Sequence, residues 1–350
     1  MYFKILFTGN YDPNYNRTKI IKNGILKLGH EIIELPFKEK NNEIKNKIIK
    51  ISNKVDFIFL PSFTHKFVPF IRKTIPDKTL IFDPLISNYM TMVFDYKKYH
   101  KYSINAFLKF YQDKKALTNS DIIITDTLAH LEYYNQKYKI PKSRMRVIYI
   151  GNNFDIFYPL EIEKNTDKFI VGFYGGFNPL QGTLNIVKAA ELLKYRKEII
   201  FNIIGNGFEY KKTKEYVDNN KIKNVNFINN LPENELAVEI NKFDIALGIF
   251  GESIKTEMVI PNKIYHYASC KKAIITKNTK AIKELFFHME DIYLSNNDPL
   301  SISKAIIYLK ENKDFAKNLA ERAYKKVRDN YNEISVAKKF INILLDTKIY

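Results

Sequence analysis

Three side chains in one stretch of the chain could act on a negatively charged group. Lys255, Lys263 and His266 fall between two apolar runs, Ile245–Phe250 and Ala273–Thr276, which predict two β-strands. In open parallel sheets, ligands bind at the carboxyl ends of the strands, and both lysines follow the first of these runs. The pattern indicates an anion at this strand end, although a lysine-rich loop without any ligand is the alternative interpretation.

The position of Lys263 favours the anion. Pro261 is typical of a first helical turn, so a helix should begin near Asn262 with Lys263 in that turn. The start of a helix carries partial positive charge and normally attracts acidic residues. Lys255, Lys263 and the N–H groups of this helix could therefore hold a diphosphate without a metal ion. As a side chain of the first turn, Lys263 is expected to be exposed.

Two glycine-containing turns predict further parts of such a site. In "VGFYGGFNPLQGT" a strand leads through Gly175 and Gly176 to Gly182, immediately before a helix. In "IIGNGFE" a second strand ends at Gly205. Glycine permits close backbone approach, and the helix start offers N–H groups to an anion. Ordinary strand–helix turns without a ligand remain an open alternative, and neither a GxGxxG nor a GxxxxGK[ST] motif is present.

The composition indicates a globular chain with an anionic partner. Its 350 residues predict two domains, and its net charge of +18 favours nucleic acid, an anionic membrane or phosphorylated small molecules. No nucleic-acid recognition motif accompanies the charge, so we expect no nucleic-acid partner. Cys270 is the single cysteine, which predicts no intrachain disulfide and a reducing, cytoplasmic location. The six histidines are scattered without metal-ligand spacing, so neither a metal nor another cofactor is expected.

Strands and helices are predicted to alternate along the chain, as in α/β proteins with doubly wound parallel sheets. The predicted strands are Tyr2–Thr8, Ile32–Pro36, Val55–Leu60, Thr79–Phe82, Asp121–Thr125, Arg146–Ile150, Phe169–Tyr174, Ile199–Ile204, Val225–Ile228, Ile245–Phe250, Ala273–Thr276 and Ile292–Leu294. The predicted helices are Thr18–Leu28, Ala106–Leu117, Leu128–Tyr138, Thr183–Leu193, Glu235–Phe243, Asn262–Ser269, Ser301–Glu311, Phe315–Asn330 and Ser335–Leu345. The polar stretch Phe157–Phe169 predicts a boundary between domains 1–160 and 161–332.

Several long blocks of sequence resemble one known family. They are "FDPLISNYMTMVFD", "TDTLAHLEYY", "FYGGFNPLQG" and "LGIFGESIKTEMVIPNKIYHYASCKKAIIT". In order and over nearly the full length, the chain resembles retaining, nucleotide-sugar-dependent glycosyltransferases of family 4 (glycosyl transferases group 1). This resemblance implies the GT-B fold, in which two Rossmann-like domains face a central cleft and the C-terminal helix, here about 333–350, crosses back to the first domain.

The resemblance also implies a reaction and its partners. The C-terminal domain should bind a UDP- or GDP-linked sugar, and the N-terminal domain a glycan or polyprenyl-linked acceptor. Transfer should occur with retention and without a metal, in the biosynthesis of surface glycans or glycoconjugates. The protein should be cytoplasmic, with peripheral contact to the inner face of the membrane.

Donor-site residues follow from the matching positions. They are Gly175, Gly176, Gln181, Gly182, Gly205, Asn262, Lys263 and His266, with Lys255 and Lys263 stabilising the leaving diphosphate. Two departures stand out. Gly176 and Gln181 occupy positions where many members carry Arg and Lys. Met258 and His266 replace the paired glutamates of the family, although Glu257 is adjacent to the first of them.

Acceptor-side candidates lie in the first domain. Gly9 ends the first strand, while Asp83, Ser87 and Asp95 belong to the "DPLIS…D" block, in which Asp95 could steer an acceptor hydroxyl. Thr127 begins the "TLAHLEYY" segment. Each has a structural alternative: a turn cap for Asp83, an ion pair with a neighbouring lysine for Asp95, and a helix N-cap for Thr127.

Two alternative interpretations of the function remain open at this point. A nucleotide-sugar epimerase of the same fold would need no acceptor, and the missing glutamates fit a catalytically impaired glycan-binding scaffold. The lysine- and aromatic-rich segment Asp95–Tyr111 predicts docking on anionic lipid, with an ordinary solvated helix face as the alternative.

Overall fold

Two six-stranded parallel sheets organise the residues that the computed structural model describes, 1–163 and 167–348. The first sheet contains β1 (Lys4–Gly9), β2 (Glu31–Pro36), β3 (Phe57–Leu60), β4 (Leu80–Phe82), β5 (Ile122–Thr125) and β6 (Met145–Val147). The second contains β7 (Phe169–Tyr174), β8 (Ile199–Ile204), β9 (Val225–Ile228), β10 (Ile245–Leu247), β11 (Ala273–Lys277) and β12 (Tyr293–Ser295). The strands inside each sheet are mostly buried on both sides because helices cover the two faces of a parallel sheet, whereas the edge strands β2, β6 and β9 are partly exposed. The predicted α/β fold with two parallel sheets is confirmed.

Strand order fixes where a ligand would bind in each sheet. The first sheet has the order β2-β1-β3-β4-β5-β6, and the second has the order β12-β11-β10-β7-β8-β9. Counted from β7, the second order is that of a dinucleotide-binding Rossmann sheet. The chain reverses its direction of winding between β1 and β3 in the first sheet, and between β7 and β10 in the second. Ligands of such sheets bind outside the carboxyl ends of the strands at these points.

Helices connect the strands and flank the sheets. In the first half they are α1 (Asn16–Lys27), α2 (Asn42–Ser52), α3 (Val68–Thr74), α4 (Asn88–Met90), α5 (Ile104–Thr118) and α6 (Leu128–Tyr138). In the second half they are α7 (Thr183–Leu192), α8 (Tyr210–Asn219), α9 (Glu233–Lys242), α10 (Asn262–Ser269), α11 (Pro299–Glu311), α12 (Lys313–Asn330) and α13 (Glu333–Lys348). No helix within the described ranges combines the length and apolar character that crossing a bilayer requires.

The chain divides into two compact units. The first comprises residues 1–151 and 331–350, and the second comprises 152–330. The polar stretch in which we predicted the boundary begins at Phe157, inside the second unit, where Phe157 is buried and stacks on His266 at 3.7 Å between ring centroids. Residues 164–166 of that stretch lie outside the described residues.

The C-terminal helix α13 belongs to the first unit, as the resemblance implied. Close packing against α1 explains this. A Cβ atom on Gly24 would lie 2.2 Å from the carbonyl oxygen of Glu333, so only glycine permits this approach. Lys27 and Asn23 bind the Glu333 carboxylate at 2.6 and 3.1 Å.

Strand β10 is shorter than predicted, and this matters for the site. It ends at Leu247 rather than at Phe250. Gly248 and Ile249 still hydrogen-bond to β11, and the chain turns away from the sheet at Phe250, whose N–H donates to the carbonyl of Gln181 at 2.9 Å. The segment after β10 is thereby attached to the loop that follows β7.

Candidate functional site

The loop after β7 is built from glycines that lie against a second glycine turn. A Cβ atom on Gly205 would lie 2.1 Å from the carbonyl oxygen of Gly175, and one on Gly207 would lie 1.9 Å from that of Gly176. Both Gly205 and Gly207 also have positive φ angles, of 129° and 149°. On its other side Gly176 is open, since a Cβ there would meet only Asn178, at 3.6 Å. The β7 loop is therefore positioned by backbone packing and keeps an unobstructed face.

Gly182 positions the start of α7. Its φ of +65° is left-handed, and a Cβ there would lie 2.3 Å from the carbonyl carbon of Phe250. No side chain caps α7 and its first turn contains no acidic residue. Since the first N–H groups of a helix have no partner within it, the start of α7 presents donors and partial positive charge.

Lys263 lies in the first turn of α10, as predicted, but the expectation that it is exposed is wrong. Only 3% of the residue is accessible. Its ammonium donates a hydrogen bond to Oε1 of Gln181 and lies 3.6 Å from the centroid of the Phe173 ring. A Cβ on Gly175 would be 2.9 Å from its Nζ. The structure thus brings together Gly175 and Gln181, from the segment between β7 and α7, and Lys263, from the first turn of α10.

The electrostatic state of Lys263 is unusual. Burial lowers its pKa well below the ordinary lysine range, and no carboxylate among the described residues forms an ion pair with it. Its partners are a neutral amide and aromatic rings, which stabilise a cation less than a carboxylate does. α10 likewise has no side-chain cap and no acid in its first turn, which begins with the half-buried Asn262. An anion bound here would supply the negative charge that the protein does not.

His266 lies three residues further along α10 and is also buried. Its ring stacks on that of Phe157, with an interplanar angle of 14°, and is nearly parallel to the ring of Tyr174, whose centroid is 5.9 Å away. Nδ1 of His266 forms a hydrogen bond of 2.6 Å with the hydroxyl of Tyr174. Tyr174 is the last residue of β7, so His266 and the glycine loop are positioned by the same strand.

The segment between β10 and α10 carries Lys255, on the 3₁₀ turn Ile254–Glu257, where it is buried. The adjacent carboxylate of Glu257 is engaged elsewhere: it pairs with Lys277 at 3.0 Å and accepts from the backbone N–H of Lys280 at 3.1 Å. Met258 is half-buried beside it. Glu257 therefore reinforces the loop.

In the first unit, Asp83 follows β4 and is fully paired. Arg17, at the start of α1, binds its Oδ2 through Nε at 2.5 Å and donates from Nη1 to the carbonyl of Ile148 at 2.8 Å. Both side chains are 1% exposed. Burial raises the pKa of Asp83, and the charge of Arg17 opposes that rise. Asp83 also accepts from the N–H of Leu85 at 3.1 Å, which is the turn-capping alternative.

Ser87 and Thr127 have structural partners as well. Ser87 Oγ caps α4 by accepting from the Met90 N–H at 3.0 Å and donates to Asp113 at 2.7 Å. Thr127 Oγ1 caps α6 by accepting from the N–H of His130 at 3.0 Å. These contacts hold α4, α5 and α6 in place.

The remaining acceptor-side candidates occupy special backbone positions. Gly9 has a φ of +109°, and a Cβ there would be 2.8 Å from Thr64 Cγ2, so glycine is required. Asp95 is buried and ends a π-helical turn, Thr91–Asp95, in which the Tyr96 N–H reaches the Thr91 carbonyl at 2.9 Å. Such turns are frequent at functional sites. Asp95 stays a prediction for acceptor contact.

Sequence reasoning missed three charged or polar groups of the first unit. Arg17 is one, and Asp113 is the second. The third is the pair Asp126–His130, in which the carboxylate meets Nδ1 at 2.5 Å with both residues buried. The four-residue spacing on a helix could have indicated the Asp126–His130 pair, whereas Arg17 and Asp83 are 66 residues apart. Within the described ranges, no group of three or more potential metal ligands converges.

Comparison with known proteins finds a family match within the second unit. Residues 157–326 match the family model of glycosyl transferases group 1. A curated relative, the uncharacterized glycosyltransferase MJ1178 of Methanocaldococcus jannaschii, is 25% identical over 218 residues. That match covers 59% of this chain and 55% of the relative, so the chain spans about half the length of the relative.

Two solved structures have the same fold over the full chain. One is Anabaena Alr3699/HepE in complex with UDP and glucose, which has a TM-score of 0.74 at 11% identity. The match covers 98% of this chain and 100% of the HepE chain. Sucrose-phosphate synthase from Thermosynechococcus elongatus has a TM-score of 0.77 at 14% identity and covers 99% of each chain. The chain therefore has a two-domain GT-B fold, and residues 157–326 of its second unit match the family model of glycosyl transferases group 1.

Proposed function

We propose that the protein is a glycosyltransferase that moves a sugar from a UDP- or GDP-linked donor onto a glycan or lipid-linked acceptor. The observation that carries this proposal is the buried ammonium of Lys263 at the start of α10, for which Gln181 is the only hydrogen-bond partner among the residues that the structure describes. It lies beside Gly175, at the strand end where ligands of Rossmann sheets bind. A diphosphate fits this position in charge and in hydrogen-bonding capacity.

The same geometry suggests how the reaction is driven. When the bond between sugar and diphosphate breaks, negative charge grows on the leaving phosphate oxygens. The ammonium of Lys263 and the uncapped starts of α7 and α10 are fixed in advance, so they stabilise that charge without reorganising. Because the charge is larger in the transition state than in the bound donor, these groups lower the barrier to transfer.

Metal independence is part of the proposal. A metal ion would neutralise the leaving diphosphate in many transferases, and here Lys255, Lys263 and the helix N–H groups take that role. We also propose that His266, which stacks on Phe157 and forms a hydrogen bond with Tyr174, donates to a sugar or ribose hydroxyl. We further propose that transfer proceeds with retention, in the cytosol, during biosynthesis of surface glycans.

The replacement of the family glutamates favours a second candidate. With Met258 and His266 at those positions, a chain that binds nucleotide-sugar or glycan without turnover would retain the lysine site and lose the chemistry. This candidate predicts donor binding with unmeasurable transfer, and the same assay separates the two. An epimerase would alter the donor sugar without any acceptor.

The test is a donor screen followed by a transfer assay. UDP- and GDP-linked sugars are first screened for thermal stabilisation of the protein, starting with UDP-glucose because HepE binds UDP and glucose. The stabilising donor is then incubated with glycan and polyprenyl-linked acceptors, and release of free nucleotide is measured with and without EDTA. We expect acceptor-dependent release that EDTA leaves unchanged. Absence of stabilisation by every donor would overturn the proposal, and activity lost in EDTA and restored by Mn²⁺ would overturn its metal-independent form.

A further inference from the structure

An exposed apolar face on α5 lies outside the site described above. Ile104, Phe107, Leu108 and Tyr111 project from the first half of this helix and are 79%, 64%, 54% and 53% exposed. Tyr102, just before the helix, is 80% exposed. We name these five residues the α5 face. Large apolar side chains grouped at such exposure mark an interaction surface more often than single exposed residues do.

The α5 face belongs to a well-anchored helix. On the opposite side of α5, the buried carboxylate of Asp113 accepts hydrogen bonds from Ser87, Asn88, the Tyr89 N–H and Tyr138, at 2.7 to 3.0 Å. The helix also begins with a cap, since Ser103 Oγ accepts from the Ala106 N–H at 3.2 Å. The apolar side chains are therefore held outward by a fixed helix.

A hollow of about 320 Å³ opens beside the α5 face, and three lysines surround it. Leu108 and Tyr111 line one side of the hollow, and Lys40, Lys66 and Lys115 contribute its charge. Burial, together with the charges of Lys66 and Lys115, lowers the pKa of Lys40. Mutual repulsion of this kind is relieved when an anion binds between the lysines.

We propose that the α5 face and the lysine hollow dock the protein on an anionic lipid bilayer. Aromatic and aliphatic side chains that interleave with lysines are typical of helices lying in a membrane interface. The apolar side chains would enter the headgroup boundary, and Lys40, Lys66 and Lys115 would contact lipid phosphates. This inference is independent of the proposed transfer reaction, because no residue of the donor site takes part in it.

The experiment is flotation of the full chain with vesicles of phosphatidylcholine alone or mixed with phosphatidylglycerol. The first variant, Ile104→Ser/Phe107→Ser, removes apolar side chains that are exposed in the free protein. The second, Lys40→Gln/Lys66→Gln/Lys115→Gln, removes the charge of the hollow. Its matched control, Lys211→Gln/Lys212→Gln/Lys223→Gln, removes three exposed lysines from the second unit.

We expect binding to the mixed vesicles and none to phosphatidylcholine alone. Each lysine at an anionic surface contributes about fivefold in affinity, so the hollow variant should lose on the order of 100-fold and its control much less. The serine variant should also lose binding while its thermal unfolding is unchanged. An equal loss of vesicle binding in the hollow variant and in its control would overturn the proposed docking surface.

Other outcomes would overturn the proposal in favour of another occupant. If vesicles fail to bind while inorganic phosphate stabilises the parent but not the hollow variant, the hollow is a site for free phosphate. If the parent forms a dimer without lipid and the serine variant is monomeric, with no flotation in either case, the face contacts a second copy of the chain.

Discussion

Buried charged groups near the strand ends have different kinds of partner in the two units. In the first unit, Asp83 is paired with Arg17 and Asp126 with His130, each within 2.5 Å. In the second, the buried ammonium of Lys263 has a neutral hydrogen-bond partner, and burial lowers its pKa. A buried carboxylate that already has a partner is compensated within the fold, whereas a buried ammonium without a carboxylate is suited to an anionic ligand. We therefore propose a structural role for the first set and an anion-binding role for the second.

The largest expected effect comes from breaking the Arg17–Asp83 pair. Arg17→Met leaves the Asp83 carboxylate buried and uncompensated, which should cost about 3–5 kcal/mol of unfolding free energy. The measurement is urea unfolding of the variant and of the double variant Arg17→Met/Asp83→Leu. The double variant should recover much of the loss. A single variant as stable as the parent protein would show that the pair is not structural.

A substitution at Gly205 should affect the donor site and the fold together. Gly205→Ala places a methyl group 2.1 Å from the carbonyl oxygen of Gly175. It also requires a positive φ, which alanine rarely adopts. The expected cost is about 1–3 kcal/mol of stability, with weaker binding of UDP because the β7 loop must shift. Gly29→Ala is a suitable control, since its φ is also positive but nothing lies within 4 Å of the added methyl. Equal UDP affinity in Gly205→Ala and Gly29→Ala would contradict the packing described for this loop.

The depressed pKa of Lys263 predicts a pH dependence of binding. A bound diphosphate favours the protonated amine, so it raises the pKa again and its binding takes up a proton. The affinity for UDP should therefore be constant at pH values below the pKa of Lys263 in the free protein. Above that pKa it should fall about tenfold per pH unit. Calorimetry of UDP binding above about pH 8, where the diphosphate is fully ionised, in buffers of different ionisation enthalpy measures this uptake. Uptake that persists in Lys263→Met would assign the proton to another group.

The smallest effect should follow from removing a cap in the first unit. Thr127→Ala deletes the hydroxyl that accepts from the His130 N–H and should cost about 1 kcal/mol of stability. Turnover per folded molecule should be unchanged if Thr127 is structural. A selective rise in KM for the acceptor would instead support the acceptor-side role predicted from the sequence.

Much of the fold was predictable because buried parallel strands are continuous apolar runs. β7, β8 and β9 have the predicted bounds, and the other strands differ by a few residues at their ends. Helices α2, α3 and α8 and the three-residue α4 were not among the predicted helices. The lysine- and asparagine-rich α2 and α8 bury few residues, and α3 has only seven. Helices that bury few residues, or that are this short, give little signal in the sequence.

The local sequence patterns of the candidate site were predictable, and its electrostatics were not. The glycines near strand ends and the lysine after Pro261 follow from local patterns that the chain displays in order. Burial of Lys263 does not, since lysine is almost never buried and its hydrogen bond to Gln181 joins residues 82 positions apart. The pairing of Arg17 with Asp83 was missed for the same reason: it depends on tertiary contacts.

The most direct test of the central claim is the turnover of Lys263→Met with the donor that stabilises the parent protein. If the ammonium stabilises the leaving diphosphate, kcat should fall roughly 100- to 1,000-fold, while Lys211→Met, which alters a side chain 89% exposed, stays near the parent value. The ligand-free variant should unfold at the same or a higher temperature, because it no longer buries a poorly compensated charge. A Lys263→Met protein that is folded and turns over donor at near-normal kcat would contradict the account.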